Sequence, residues 1–189
     1  MGKYEDDHGE LPPAAIRDKS GVPLLSWRVA ILPDLEGKAI YREMHLDEPW
    51  DSTHNLQFLD KMPSVFRSPG QQPPQAGSTF YRVFTGPGTA FERDGLRLTR
   101  DFPNGTSNTI GIIEAGDAVP WTKPDELEYH PDRPLPPLGG IFHGNSWLDR
   151  QRDKRDGFHV GMMDGSVRWI ERNLDENELR ALILRDSRK

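Results

Sequence analysis

At 189 residues and a net charge of −6, the chain is long enough for one well-buried core and short for two. Its dispersed basic residues offer no one-signed face for phosphates, which excludes nucleic acid as an expected partner; with no cysteine it has neither a disulfide framework nor a thiolate metal site. No window approaches the roughly 20 apolar residues of a membrane span, so the chain as given reads as soluble, and with 34% hydrophobic residues, Gly 18 and Pro 17 it should be a single domain of short elements joined by long ordered loops.

The opening stretch is polar up to Gly21, apart from Leu11-Pro12-Pro13-Ala14-Ala15-Ile16, which reads as an extended strap because a residue before proline is pushed out of the α region. Ser26 can cap a short helix over Trp27 to Leu32, and Pro33 fits the first turn of a second one through Leu35, Ile40 and Met44. A third runs from Thr53 to Lys61, with Leu56 and Leu59 on one face and Met62-Pro63 as its end. Residues 64–77 are rich in proline and glycine, lack hydrophobic periodicity and earn no element.

Two β-branched and aromatic segments, Thr79 to Phe84 and Asn108 to Ile113, are expected strands. The clearest local signal lies further on: Phe158 to Met163, then Asp164-Gly165, then Ser166 to Ile170. This predicts a hairpin closed by a two-residue turn, with Phe158, Val160 and Met162 on one face opposite Val167 and Trp169. Asp175 and Glu178 make a capping box ahead of Leu179, Leu182 and Ile183, so a helix should close the chain and pack on that hairpin. No internal repeat is visible. Short helices, then strands, then hairpin and helix define an α+β fold with a small, mainly antiparallel sheet.

Catalytic chemistry finds little local support. The serines lack a nucleophile elbow, Gly86-Pro87-Gly88 is followed by no lysine, and the turn role of Asp164-Gly165-Ser166 already accounts for those residues. Asp101, Asn104, Thr106 and Asn108 surround a glycine turn and could supply hard oxygens to calcium; a turn in which Asn and Thr side chains bond local backbone is the competing reading. His45 and His54 lie near Asp47, Glu48 and Asp51, a set that could hold a metal only if three ligands converge. Trp50, Trp121 and Trp147 stand in proline-bounded loops, where they can serve a ligand or protein contact, or plug the loops themselves.

Taken together, Gly9 to Ile16, Leu25 to Pro33, Leu46 to Ser52, Asn55, Met62-Pro63, Tyr81 to Phe91, Asn104 to Ile110, Val119 to Pro124, Leu138 to Gly140 and Met163 to Arg168 resemble a family of bacterial pseudopilin-like proteins. That family is abundant in planctomycetes, is described only as a domain of unknown function, and is related to the major pseudopilin of type II secretion. The resemblance implies a pilin-like fold, with a prepilin-type leader and hydrophobic helix upstream of Tyr4 that anchor the native protein in the inner membrane and leave this domain outside the cytoplasm. Family members carry cysteine where Ser68 stands and aspartate where Asn104 stands, which removes a thiol and weakens the calcium reading by one charge. His143 to Asp156 is longer and more charged than the family pattern and reads as a surface loop.

The leading expectation is an assembly role beside other pseudopilin-like subunits or copies of itself, without enzymatic activity or cofactor unless calcium binds. A solute- or carbohydrate-binding module is the alternative, and a hydrolase or metal enzyme built on His45, Asp47 and His54 is a third.

Overall fold

A computed structural model describes residues 1–68, 73–140 and 157–186. The fold is α+β, with short helices in the first third, small and mainly antiparallel sheets, and a C-terminal strand hairpin followed by a helix. Trp147 and the segment from His143 to Asp156 lie outside the described residues.

The chain starts with a short helix, α1 (Gly2–His8), ended by Gly9 at φ 77°. Met1 and Tyr4 pack against the body, and the Glu5 carboxylate accepts the Leu98 N–H at 2.9 Å. The strap then becomes β1 (Ala15–Arg17), paired antiparallel with β2 (Pro23–Ser26). Between them the Asp18 carboxylate accepts the N–H groups of Ser20 and Val22, forming an Asx turn.

Ser26 does stand at the N-cap of α2 (Trp27–Ala30), but its hydroxyl donates to the Trp121 carbonyl at 2.7 Å and does not cap the helix. The helix stops short of the expected Leu32, which precedes Pro33, and Leu32–Asp34 winds into a 3-10 turn carrying that proline. A separate helix, α3 (Lys38–Glu43), follows. The expected third helix is a 3-10 segment, Asn55–Lys61, and a further 3-10 turn, Ser64–Phe66, falls where no element was expected. Asn55 is fully buried because its amide serves as a strand partner for the preceding loop: it accepts from His45 N–H and donates to the carbonyls of His45, Glu48 and Pro49.

Both expected strands form, as β3 (Ser78–Arg82), continued by the two-residue β4 (Phe84–Thr85), and as β5 (Ile110–Pro120). The latter is longer than expected because Gly116 and Asp117 hide its second half in the sequence. β4 pairs in parallel with β6 (Leu127–Glu128). The hairpin strands are β7 (Gly157–Met162) and β8 (Val167–Glu171), and the main sheet runs β3-β5-β7-β8, antiparallel throughout. The closing helix is α4 (Glu176–Ile183), capped by the Asp175 carboxylate, which accepts the Asn177 N–H.

Among the described residues, apolar side chains gather in two buried clusters. One surrounds Leu25, Trp27, Leu32 and Trp121; the other lies between the sheet and α4, around Ile113, Val160, Ile170, Leu179 and Ile183. No helix among the described residues is long and apolar enough to cross a membrane.

Candidate functional site

The hairpin turn decides which side chains face out. Gly161 pairs with Val167, and the Met162 N–H donates to the Ser166 carbonyl, so the loop is three residues long, Met163-Asp164-Gly165, and not the expected two. Only Gly165 takes a positive φ, 87°, as in a type I turn followed by a left-handed residue. Met163 belongs to the loop because its side chain is buried against Gly111, where an added Cβ would lie 2.7 Å from the sulfur, and its N–H donates to Thr109. The Asp164 carboxylate holds the bend by accepting both Ser166 N–H and its hydroxyl, bonds that keep the Asp164 acid below the ordinary carboxylate range.

One extra residue reverses the faces of β8 relative to the expectation. Ile170, opposite Phe158, goes into the core; Val167 and Trp169 point outward and stand 69% and 43% exposed. Trp169 lies edge-to-face with its cross-strand neighbour His159, ring centres 4.8 Å apart. Beside them a groove of about 360 Å³ runs between this sheet face and the N-terminal helices, lined by Trp27, Ile31, Leu35, Val65, Tyr81 and Val167 among others. Val65, on its rim, is also exposed. The Trp27 indole N–H is buried without an acceptor among the described residues.

Glu114 is buried on the same face. After Ile113, β5 turns away from β7 and instead receives the N–H groups of Gly139 and Gly140 on the carbonyls of Glu114 and Ala115. That leaves the His159 N–H without a ladder partner, and the Glu114 carboxylate accepts it at 2.9 Å while lying 3.8 Å from the His159 imidazole.

Behind the groove sits a buried ion pair. Arg28, fully buried, donates from Nε and Nη2 to the Tyr81 carbonyl at 3.0 and 2.7 Å, and from Nη1 to Glu126 at 2.8 Å. The second Glu126 oxygen accepts the Val83 N–H. Loss of water lowers the Arg28 pKa and raises that of Glu126, and their mutual attraction opposes both shifts. Asp125 next door bridges Arg82 and Lys123, both at 2.7 Å. A polar cleft of about 740 Å³ opens above this network, with Arg17, Glu92, Asp94, Lys123 and Glu128 on its walls.

The residues singled out from sequence fall in separate places. Asp101 accepts from the Arg97 N–H and pairs with Arg100 at 2.9 Å, which holds its pKa low. The Asn104 and Asn108 amides donate to the carbonyls of Leu184 and Asn104, and Thr106 gives its carbonyl to the Asp164 N–H. Trp121 is fully buried with its indole N–H on the Phe58 carbonyl, which leaves it no face for a partner; Trp50 is half-buried under Lys123. His45 and His54 stack with ring centres 3.5 Å apart, one ring nitrogen on Glu48 and one on the Glu43 carbonyl. Among the described residues no three His, Asp or Glu side chains converge as a metal site would require, and Asp47 does not join the two histidines.

Sequence reasoning missed Arg28, Glu114 and Glu126. The first two left a signal, a charge inside an otherwise apolar run (Trp27-Arg-Val-Ala-Ile-Leu and Ile110-Gly-Ile-Ile-Glu-Ala), which calls for a buried partner.

The family model described as a protein of unknown function (DUF1559), SBP_bac_10, matches residues 1–99, just over half of the chain, and the chain belongs to that family. No curated protein and no solved structure matches it.

Proposed function

We propose that this chain is the extracytoplasmic domain of a pseudopilin-like structural protein, of a type II secretion or type IV pilus-like system, that works by joining copies or related subunits and not by catalysis. The observation that carries the reading is the outward apolar face of the sheet, where Val167, Trp169 and Val65 stand exposed beside an apolar groove. Surface of this kind marks protein contacts. The segment-by-segment resemblance from Gly9 to Arg168 supports the pseudopilin relationship, and α1, docked through Met1, Tyr4 and Glu5, is where an upstream apolar helix would attach and provide the membrane contact.

In cells making the whole native protein, protease added outside the inner membrane should degrade this domain, and amine cross-linking should trap it in multimers. A domain that stays protected in the cytoplasm and runs as a monomer after cross-linking overturns the proposal.

The polar cleft favours a second reading, capture of a solute or carbohydrate between its opposed charges. Neither Trp50 nor Trp121 lines it, so no indole platform for a sugar ring is supplied there. A thermal shift of several degrees with a mono- or oligosaccharide would move weight to this reading.

A further inference from the structure

We infer that the free edge of β8 pairs antiparallel with the same edge of a second copy, about a two-fold axis that passes beside Trp169. This deepens the assembly reading and rests on it for the setting in which copies meet; the geometry comes from the hairpin alone.

Hydrogen bonding alternates along an antiparallel ladder. The Met162 N–H bond to the Ser166 carbonyl sets the phase, so Ser166, Arg168 and Ile170 turn their backbone groups toward β7. Val167, Trp169 and Glu171 therefore turn theirs outward, where no partner strand lies among the described residues, and of these groups the Glu171 carbonyl accepts the Leu174 N–H at the strand's end. An unpaired row of N–H and C=O groups is a template for a further strand.

The side chains select the copy and its register. A two-fold axis normal to the sheet requires outward-turned residues to meet outward-turned residues. Trp169 against Trp169 of the second copy does this, sets Val167 against Glu171, and places Arg168 opposite Ile170. The neighbouring symmetric registers put Arg168 opposite Arg168 or opposite Arg172, like charges in direct opposition. Of these three registers, the Trp169-centred one alone avoids that penalty. Trp169 then both donates and accepts across the junction, the Val167 carbonyl accepts the Glu171 N–H of the second copy, and the two four-stranded sheets become continuous; the Glu171 carbonyl already accepts the Leu174 N–H, so the ladder ends there. The apolar outward faces merge into one surface, shielding the half-exposed Trp169. α4 does not obstruct the approach, because it packs over β5 on the other face.

The chain has no cysteine, so introduced thiols report on register alone. Opposed residues of a hydrogen-bonded pair have Cα atoms roughly 5.5 Å apart, inside disulfide range, whereas Val167 and its own symmetry mate would be about 14 Å apart. Val167→Cys and Glu171→Cys chains, mixed and mildly oxidised, should give a reducible dimer on non-reducing gels at least tenfold in excess of that from either variant alone. In sedimentation, the mass of the unmodified chain should rise with concentration. Trp169→Glu, which sets carboxylates face to face, should weaken dimerisation at least tenfold. Equal cross-linking of the single variants overturns the register. A chain that stays monomeric to millimolar concentration overturns the interface, and leaves the membrane-anchored assembly reading to its own protease test.

Discussion

Replacing Glu126 by alanine tests the buried network directly. The change would leave the Arg28 guanidinium, which has no solvent exposure, without its carboxylate, and would orphan the Val83 N–H that Glu126 accepts. Removing one member of a buried pair typically costs about 3–5 kcal/mol, because the remaining charge stays desolvated. For a chain of this size each kcal/mol moves the melting point by roughly 2–4 °C, so Glu126→Ala should lower it by about 6–20 °C. Arg28→Met is the informative companion. It leaves the carboxylate, whose pKa burial already raises, free to neutralise by taking a proton, so its penalty should shrink as pH falls toward 5, while that of Glu126→Ala should not. Arg28→Met also frees the Tyr81 carbonyl, which receives two of the guanidinium bonds, so the double variant should recover only part of the loss. Urea denaturation followed by tryptophan fluorescence, run as a double-mutant cycle at pH 5 and 7.5, measures all of this. A Glu126→Ala loss below about 1 kcal/mol, or additive single effects, would refute the reasoning.

Trp121→Ala, which empties a fully buried site and frees the Phe58 carbonyl, should cost about 3–5 kcal/mol in the same assay, against under about 1 for Trp50→Ala. The Glu92 carboxylate is held below its ordinary pKa, chiefly by its hydrogen bond to Arg185. Its stabilising contribution is complete above the ordinary value and lost as pH falls through the depressed one, so the cost of Glu92→Gln should be largest at pH 7, where exposure keeps it modest, and should shrink as pH falls below about 4.5. Millimolar calcium should leave the melting point within about 1 °C, since Arg100 holds Asp101; Arg100→Ala is the variant in which a calcium-dependent rise would first appear.

Elements announced by neighbouring residues were readable: the closing helix from Asp175, the hairpin from Asp164-Gly165, the two strands from their β-branched and aromatic runs. What escaped depends on distance along the chain. Ser26 carries a capping side chain in a capping position, yet a carbonyl 95 residues away captures its hydroxyl. Arg28 and Glu126 are 98 residues apart, and neither betrays the other in sequence. The hairpin register failed for a subtler reason. A two-residue turn and a three-residue turn both welcome Asp-Gly, and the choice between them came from a berth for Met163 beside Gly111, on another strand. The site was correspondingly obscure: Val167 and Trp169 read as core because alternation shows that two residues share a side of a strand, without showing which side water touches.

The bend at Met163 acts as a spacer whose length outweighs the identity of the residues after it. Shortened by one unit, it would rotate the last strand half a revolution about its own axis, hide the indole and bring Ile170 into contact with water. The apolar side chains that now meet water would be hidden with every letter of the strand unchanged, so what this flank presents is encoded in counting as much as in chemistry.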